Sequence, residues 1–327
     1  MIRPAILVGV LAALPSVSLA QGITFDGAVT LGYSFNTIND LGTDITLNGG
    51  SLDFDGDLGF SDEFSVGLGF SFGSSNLDVN GLPNEVNIDL LSLSVEPVYR
   101  FSSGAYVGAY YRMGDLDVAL VGPVTIGLDT SQYGIFGGYD FGQGHVEVFY
   151  GMSDFTENAL LGGLGDVDVT DYGISASYQA MPELDIFGSV MRTTLDAGGT
   201  ELHFTAFSVG AEYDVTPELA VYGSVGQTII DLSAIGAPDD ITATGLTLGA
   251  SYDLTNAASI PMYVSAEYSR TNLDLSVLGL TTDPTIDRFA LGLTIPIGNG
   301  SGSALNSNTR VARGEYRSAV AAVFNSF

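Results

Sequence analysis

The chain alternates apolar and polar positions. From Gly22 it reads GITFDGAVTLGYSF, with Ile23, Phe25, Val29, Leu31, Tyr33 and Phe35 on one parity and Thr24, Asp26, Thr30 and Ser34 on the other. Period two over that length predicts a strand longer than those of most water-soluble sheets. SLDFDGDLGF repeats the pattern, with Leu52, Phe54, Leu58 and Phe60 opposite Asp53, Asp55 and Asp57. FSVGLGFSF from Phe64, DYGISASY from Asp171, FTAFSVGAEY from Phe204, TATGLTLGASY from Thr242, MYVSAEYS from Met262 and RFALGLTI from Arg288 follow suit. Each has one apolar face and one face of small or acidic residues.

The strands come in pairs. SYQAMPELDIFGSV at Ser177 returns 35 residues later as EYDVTPELAVYGSV at Glu212. Aromatic residues just before tight turns recur at Phe60, Tyr99, Tyr139, Tyr178, Tyr213 and Tyr252, with spacings of 39, 40, 39, 35 and 39. The turns after them are short (SDE, SSG, GQG, MPE, TPE), with TNAASIP longer; the opposite connections, such as 37–49, 155–168 and 275–284, are longer and more variable. The repeating unit is a hairpin. Seven even strands ending near 60, 99, 139, 178, 213, 252 and 295 predict 14 strands, with 12 and 16 as alternatives.

A sheet of that size must deal with its edges, and closure removes them. In lipid, closure also satisfies every backbone donor and acceptor. A membrane barrel needs strands of about 9–11 residues across the apolar band, short turns on one side, longer loops on the other and aromatic girdles at both interfaces. These features predict an all-β, transmembrane, antiparallel up-and-down barrel whose periplasmic girdle is Phe60, Tyr99, Tyr139, Tyr178, Tyr213 and Tyr252. A propeller, the soluble alternative with repeats of roughly 40 residues, would need four short strands where this chain has two long ones.

The ends and the charge refine the picture. MIRPAILVGVLAALPSVSLA has one Arg, a short apolar run and small residues flanking Leu19, the pattern of a signal peptide over residues 1–20. The chain has no Cys and hence no disulfide framework. A net charge of −29 accompanies a mean hydropathy of +0.30 and 34 Phe plus Tyr, which separates it from disordered acidic chains. The acidity excludes nucleic acid as a partner. Within the expected barrel, residues 21–298, 5 Arg face 37 acids, a net of −32; residues 299–327 carry Arg310, Arg313 and Arg317 against Glu315, a net of +2.

The signal sequence, the Gly- and aromatic-rich alternating strands, the Tyr-Asp or Tyr-Gln before a Pro-Glu or Gly turn, and the absence of Cys resemble a Gram-negative outer-membrane β-barrel of the porin type, over about Gly22 to Gly298. The resemblance implies an outer-membrane location and passive diffusion of small hydrophilic solutes or cations through a monomer or homotrimer. It implies no cofactor, no catalysis, and outer-membrane lipid, lipopolysaccharide and the barrel-assembly machinery as partners. Two features depart from it. No single loop is as long as a general porin's constriction loop. And RFALGLTIPIG, which looks like the last strand, is followed by a tail in which Tyr316, Val320, Val323, Phe324 and Phe327 have helical spacing. This basic amphipathic tail is expected to dock at or inside the acidic barrel as a partial plug; a free tail, or an assembly signal using Phe327 alone, is the simpler reading.

By parity, Asp53, Asp55, Asp57, Asp89, Glu147, Glu212, Asp214 and Glu267 point inward, and such carboxylates predict cation selectivity. Arg112 and Arg288 are expected in the lumen too, facing the acids across a constriction. Arg192 and Arg270 share parity with apolar runs and are expected to face lipid near the outer leaflet. A bulge is expected where Val86-Ile88-Leu90 gives way to Leu91-Leu93-Val95. The small residues Gly67, Gly69, Ser71 and Gly73 predict an unfilled interior. GFSFG at 69–73 matches a nucleophile-elbow pattern, but Ser71 sits mid-strand. DFDGD at 53–57 begins like a calcium loop but has Leu58 and Phe64 where Gly and Glu are needed. An outer-membrane hydrolase would rest on His203 with Glu201 and Asp196; a structural or adhesive barrel without an open pore is the other alternative.

Overall fold

The computed structural model describes residues 22–40, 45–79, 86–119, 125–157, 167–236, 240–258, 260–275, 283–298 and 308–320. The expected signal peptide and Phe327 lie outside these residues. Fourteen strands make up the sheet: β1 Thr24–Asn39, β2 Ile45–Gly59, β3 Phe64–Val79, β4 Val86–Arg100, β5 Ala105–Ala119, β6 Thr125–Asp140, β7 Gly144–Glu157, β8 Val167–Met181, β9 Leu184–Ala197, β10 Thr200–Thr216, β11 Leu219–Asp231, β12 Ile241–Asp253, β13 Tyr263–Asp274 and β14 Thr285–Ile297. Each strand pairs antiparallel with its sequence neighbours, and β1 closes on β14 from Gly27 opposite Ile297 to Asn39 opposite Thr285.

The strands are 12 to 17 residues long, more than the apolar band requires. The excess lies at the end away from the short turns, where the alternation fades but pairing continues. Thus the stretch 37–49, expected as a connection, is mostly sheet, with Ile38 opposite Ile45. Once a strand leaves the apolar band its outward side chains need no longer be apolar, so the sequence signal ends before the strand does. The turn between β9 and β10 is also short. Gly198 and Gly199 occupy it with φ of +63° and +95°, the positive values that a tight two-residue hairpin demands at both positions.

Exposure follows parity. Leu31, Tyr33, Phe35, Ile135, Val148, Tyr150, Val209 and Leu248 are exposed apolar side chains on the outward face, and Ile135 retains 65% of its accessible surface. In water such a surface would drive aggregation; in lipid it is what faces the acyl chains. Phe60, Tyr99, Tyr139, Tyr178, Tyr213 and Tyr252 are all exposed, at the ends of the even strands. Phe64, Phe101 and Phe141 extend this row, with ring centroids 5.7 Å for Phe60–Phe64, 5.0 Å for Tyr99–Phe101 and 6.5 Å for Phe141–Tyr178.

The expected bulge in β4 is not formed. Register runs unbroken from Phe64 opposite Tyr99 to Leu77 opposite Val86. Asp89 therefore shares the outward face with Leu91 and Leu93, opposite Ser74 and Asp117, and is not a lumen residue. Backbone pairing with β3 and β5 outweighed the local apolar pattern, and Leu90 took the inward position. Asp115 lies opposite Asp129 on the same outward patch.

Candidate functional site

The barrel interior is occupied. After β14 ends at the short-turn rim, residues 308–320 run inside the ring, with a helix at Asn308–Ala312. Arg310 Nη2 lies 3.5 Å from Asp55 Oδ2 on β2, and Arg313 Nη2 donates to Glu212 Oε2 on β10 at 2.6 Å. Those strands are six places apart by the shorter way round the ring. Only a segment inside the lumen can touch both. Tyr316 follows a turn at Arg313–Gly314; helix precedes that turn and is assigned again at Ala319 and Val320, while Val323, Phe324 and Phe327 of the expected helical spacing lie outside the described residues. Gly314 adopts φ +76° against the inner face of β8, where an added Cβ would overlap Ser175.

The segment is held by charge, by backbone hydrogen bonds and by apolar packing. Arg317 donates to Glu96 Oε2 on β4 at 2.8 Å and to Glu147 Oε1 on β7 at 3.0 Å. Its guanidinium carbon stands 4.1 Å from the centroid of Phe136 and 5.0 Å from that of Tyr110. Burial alone would lower the Arg317 pKa, but Glu96 and Glu147 outweigh it and raise the pKa above the usual arginine value. Arg313 lies over Phe187 at 4.3 Å, and Arg310 pairs with Glu315 of its own segment.

Backbone groups are read as well. Ser189 Oγ donates to the Val311 carbonyl at 2.6 Å, Gln132 Nε2 to the Arg317 carbonyl at 3.3 Å, and the Ala319 amide to Thr193 Oγ1 at 2.9 Å. Asp171, fully buried on the inner face of β8, organises this patch by accepting from Ser153 at 2.6 Å, from Gln132 at 3.2 Å and from Thr193. Val311, Tyr316 and Ala319 then pack with the inward Val98, Tyr106, Tyr110, Phe136, Phe149, Met191 and Ala206. The small residues of β3 gave a misleading sample, because bulky inward side chains come from other strands, among them Tyr110, Phe136, Phe149 and Met191, which cluster with the segment, and Tyr222 on β11.

Of the residues expected to line the pore, Asp55, Glu147 and Glu212 bind the segment's arginines directly or across a short gap. Asp53 is inward and buried, accepting from Ser51 at 3.1 Å and Ser71 at 2.6 Å. Asp57 and Asp214 share the inward parity of Asp55 and Glu212. Glu267 and Arg288 form a buried pair at 2.9 Å. Arg112 lies 3.7 Å from Glu96. These two arginines are thus each paired with a carboxylate on the adjacent strand rather than with acids across the lumen, because cross-strand neighbours are closer than anything on the far wall.

Parity alone could have added Glu96 and Asp171 to the expected set; Glu96 follows Ser92 and Ser94, and Asp171 precedes Gly173 and Ser175 on the same face. The outward polar residues also resolve. Arg270 lies 3.7 Å from Asp287, which accepts from Tyr268 at 2.6 Å and from Asn39 at 3.1 Å. Arg192 sits between Tyr172 and Thr205 on the outward face. His203 Nδ1 meets Thr194 Oγ1 at 3.2 Å, and its Nε2 lies 3.7 Å from Glu201.

A closed antiparallel ring with an apolar outside and a polar, charged inside defines a transmembrane β-barrel, since its strands leave no unpaired edge for lipid to meet. Comparison with known proteins places it more closely. The family model for Gram-negative porins matches residues 42–198. No curated protein matches the chain. Among solved structures it resembles an anion-selective porin from Comamonas acidovorans, at 13% identity and a TM-score of 0.52, covering 84% of this chain and 99% of that one. It also resembles OmpT, an outer-membrane protein of Vibrio cholerae, at 14% identity and a TM-score of 0.51, covering 86% and 100%. A mutant of the monoaromatic hydrocarbon channel TodX gives 10% identity and 0.53, covering 88% and 94%. The fold is thus that of a transmembrane β-barrel, and residues 42–198 are similar to the Gram-negative porins.

Proposed function

We propose that the protein is a diffusion channel for small hydrophilic solutes, that its acidic lumen favours cations, and that its own C-terminal segment narrows the path. The observation that carries this reading is the charge of the inner wall. Asp53, Asp55, Asp57, Glu96, Glu147, Glu212, Asp214 and Glu267 face inward, whereas Arg112 and Arg288 are each held by one of those carboxylates and a third inward arginine, Arg100, bonds Ser65 at the short-turn end of β4. Carboxylates lining a low-dielectric passage concentrate cations and repel anions. The role is transport without catalysis or a cofactor. The aromatic row at the short-turn rim would sit at the periplasmic interface, and Arg192 and Arg270 at the height of lipopolysaccharide headgroups.

The test is planar-bilayer conductance of the refolded mature chain, with the reversal potential read in a salt gradient. Discrete steps with a cation-selective potential support the reading; anion selectivity overturns it. A second reading, a structural barrel without an open pore, draws support from the packing of Val311, Tyr316 and Ala319 against inward aromatic rings. Well-folded protein that stays silent both with its tail and after removal of residues 303–327 would favour it.

A further inference from the structure

The best-built cation site in the lumen is the one that Arg317 fills. Two carboxylates from different strands take the two ends of the guanidinium fork, Glu96 at 2.8 Å and Glu147 at 3.0 Å, while Phe136 and Tyr110 offer their rings. A planar cation that hydrogen-bonds at its edges and stacks through its face uses all four groups; a compact ammonium or a hydrated metal ion does not. These four residues belong to the barrel wall, and Arg112, 3.7 Å from the other oxygen of Glu96, fixes that carboxylate from behind. Tyr106, also of the wall, donates its hydroxyl to the other oxygen of Glu147 at 3.3 Å, so each carboxylate has a wall partner besides the occupant. The occupant itself belongs to a segment outside the sheet, paired to no strand.

We propose that Glu96, Glu147, Tyr110 and Phe136 form a binding station for guanidinium-bearing solutes, and that Arg317 is its tethered occupant, so that a free solute of this class and the C-terminal segment compete for it. The solute's route to the station rests on the channel reading above; the station does not. A tethered group acts at an effective concentration on the order of millimolar, and the hydrogen bonds to Val311, Arg317 and Ala319 add to its hold, so the free solute must reach at least that range to displace it.

The absence of cysteine makes a direct test available. Ser318→Cys puts one thiol beside Arg317, at a position buried when the segment is docked. In full-length folded protein its labelling by a maleimide is expected to run severalfold faster in methylguanidinium chloride than in sodium chloride of equal ionic strength. Adding Glu96→Gln and Glu147→Gln is expected to abolish that difference. Equal rates in the two salts with the carboxylates intact overturn the proposal.

Because Ser318 lies within the docking patch, a second measurement leaves it native. In Arg317→Ala the station is empty, and methylguanidinium, but not sodium, is expected to raise the thermal midpoint of the folded barrel, an effect lost when Glu96→Gln is added. No rise, or an equal rise with sodium, overturns the proposal. Conductance of the same preparations reports the channel reading separately: a guanidinium response in a barrel that never conducts keeps the station and removes the channel.

Discussion

Arg317 Nη1 lies 2.8 Å from Glu96 Oε2, although 221 positions separate the two residues in the chain. The contact turns a terminal segment into part of the barrel's interior. It also makes the segment's occupancy a measurable property. Deleting residues 303–327 is expected to raise the single-channel conductance of correctly folded protein, because Arg310, Tyr316 and Arg317 leave the cross-section. Unchanged conductance would show that the solute path runs clear of them.

Gly314 is where the segment turns against β8. Its φ of +76° and the overlap that a Cβ would make with Ser175 both oppose a side chain. Gly314→Ala is expected to weaken docking by about 1–3 kcal/mol, the cost of a non-glycine residue held in a disfavoured backbone region, and to act like partial deletion in conductance recordings. The barrel's own resistance to heat should change little, since none of its fourteen strands contains this residue. A drop in barrel stability as large as the change in docking would contradict the division of roles.

The buried pair Arg288–Glu267 offers a different kind of test. Both side chains are nearly inaccessible, so removing one leaves the other charge without its main counter-ion. Arg288→Ala is expected to destabilise the barrel by about 3–5 kcal/mol, and Arg288→Ala with Glu267→Ala by less. Urea titration of the mobility shift on unheated gels would measure both. A double variant no better than the single one would argue against coupling through charge.

The outward face has a depth profile. Ile135→Arg is expected to cost on the order of 2–4 kcal/mol if it lies near the bilayer midplane, while Asp89→Arg, near the loop end of β4, should cost about 0–1 kcal/mol. Refolding into vesicles followed by denaturant titration compares the two. Equal costs would mean that Asp89 sits within the apolar band.

Selectivity should follow the inner-wall carboxylates that meet no arginine among the described residues. Asp57→Asn with Asp214→Asn is expected to move the reversal potential toward zero without touching the segment's arginine contacts. The shift should shrink at high salt, since solvated charges are screened within about 10 Å at 0.1 M ionic strength. A potential indifferent to these two residues would assign selectivity to the loops.

Much of the architecture was legible from alternation and turn chemistry. The Pro-Glu turns after Met181 and Thr216, the regular return of an aromatic before each tight turn, and the closing strand near 285–297 are local signals, and local backbone geometry forced them. Parity assigned Asp55, Glu147, Glu212, Glu267, Arg112 and Arg288 to the inside for the same reason: side chains of a strand alternate between faces. Asp89 went astray because an apolar run crossing from one parity to the other is compatible with a bulge or with a continuous strand, and only pairing with β3 and β5 decided between them.

What the linear pattern established was a closed sheet, its orientation to lipid, and an interior richer in acid than in base. Which carboxylates would meet which arginines it could not establish. Arg112 and Arg288 were taken by neighbours on adjacent strands, while Arg310, Arg313 and Arg317 reached Asp55, Glu212, Glu96 and Glu147 across the ring. Those pairings depend on ring diameter, on strand register and on a turn at Gly314, all properties of the assembled barrel. Periodicity is a one-dimensional quantity set by the backbone; occupancy of a lumen is a distance in space, and tertiary structure alone brought its ends together.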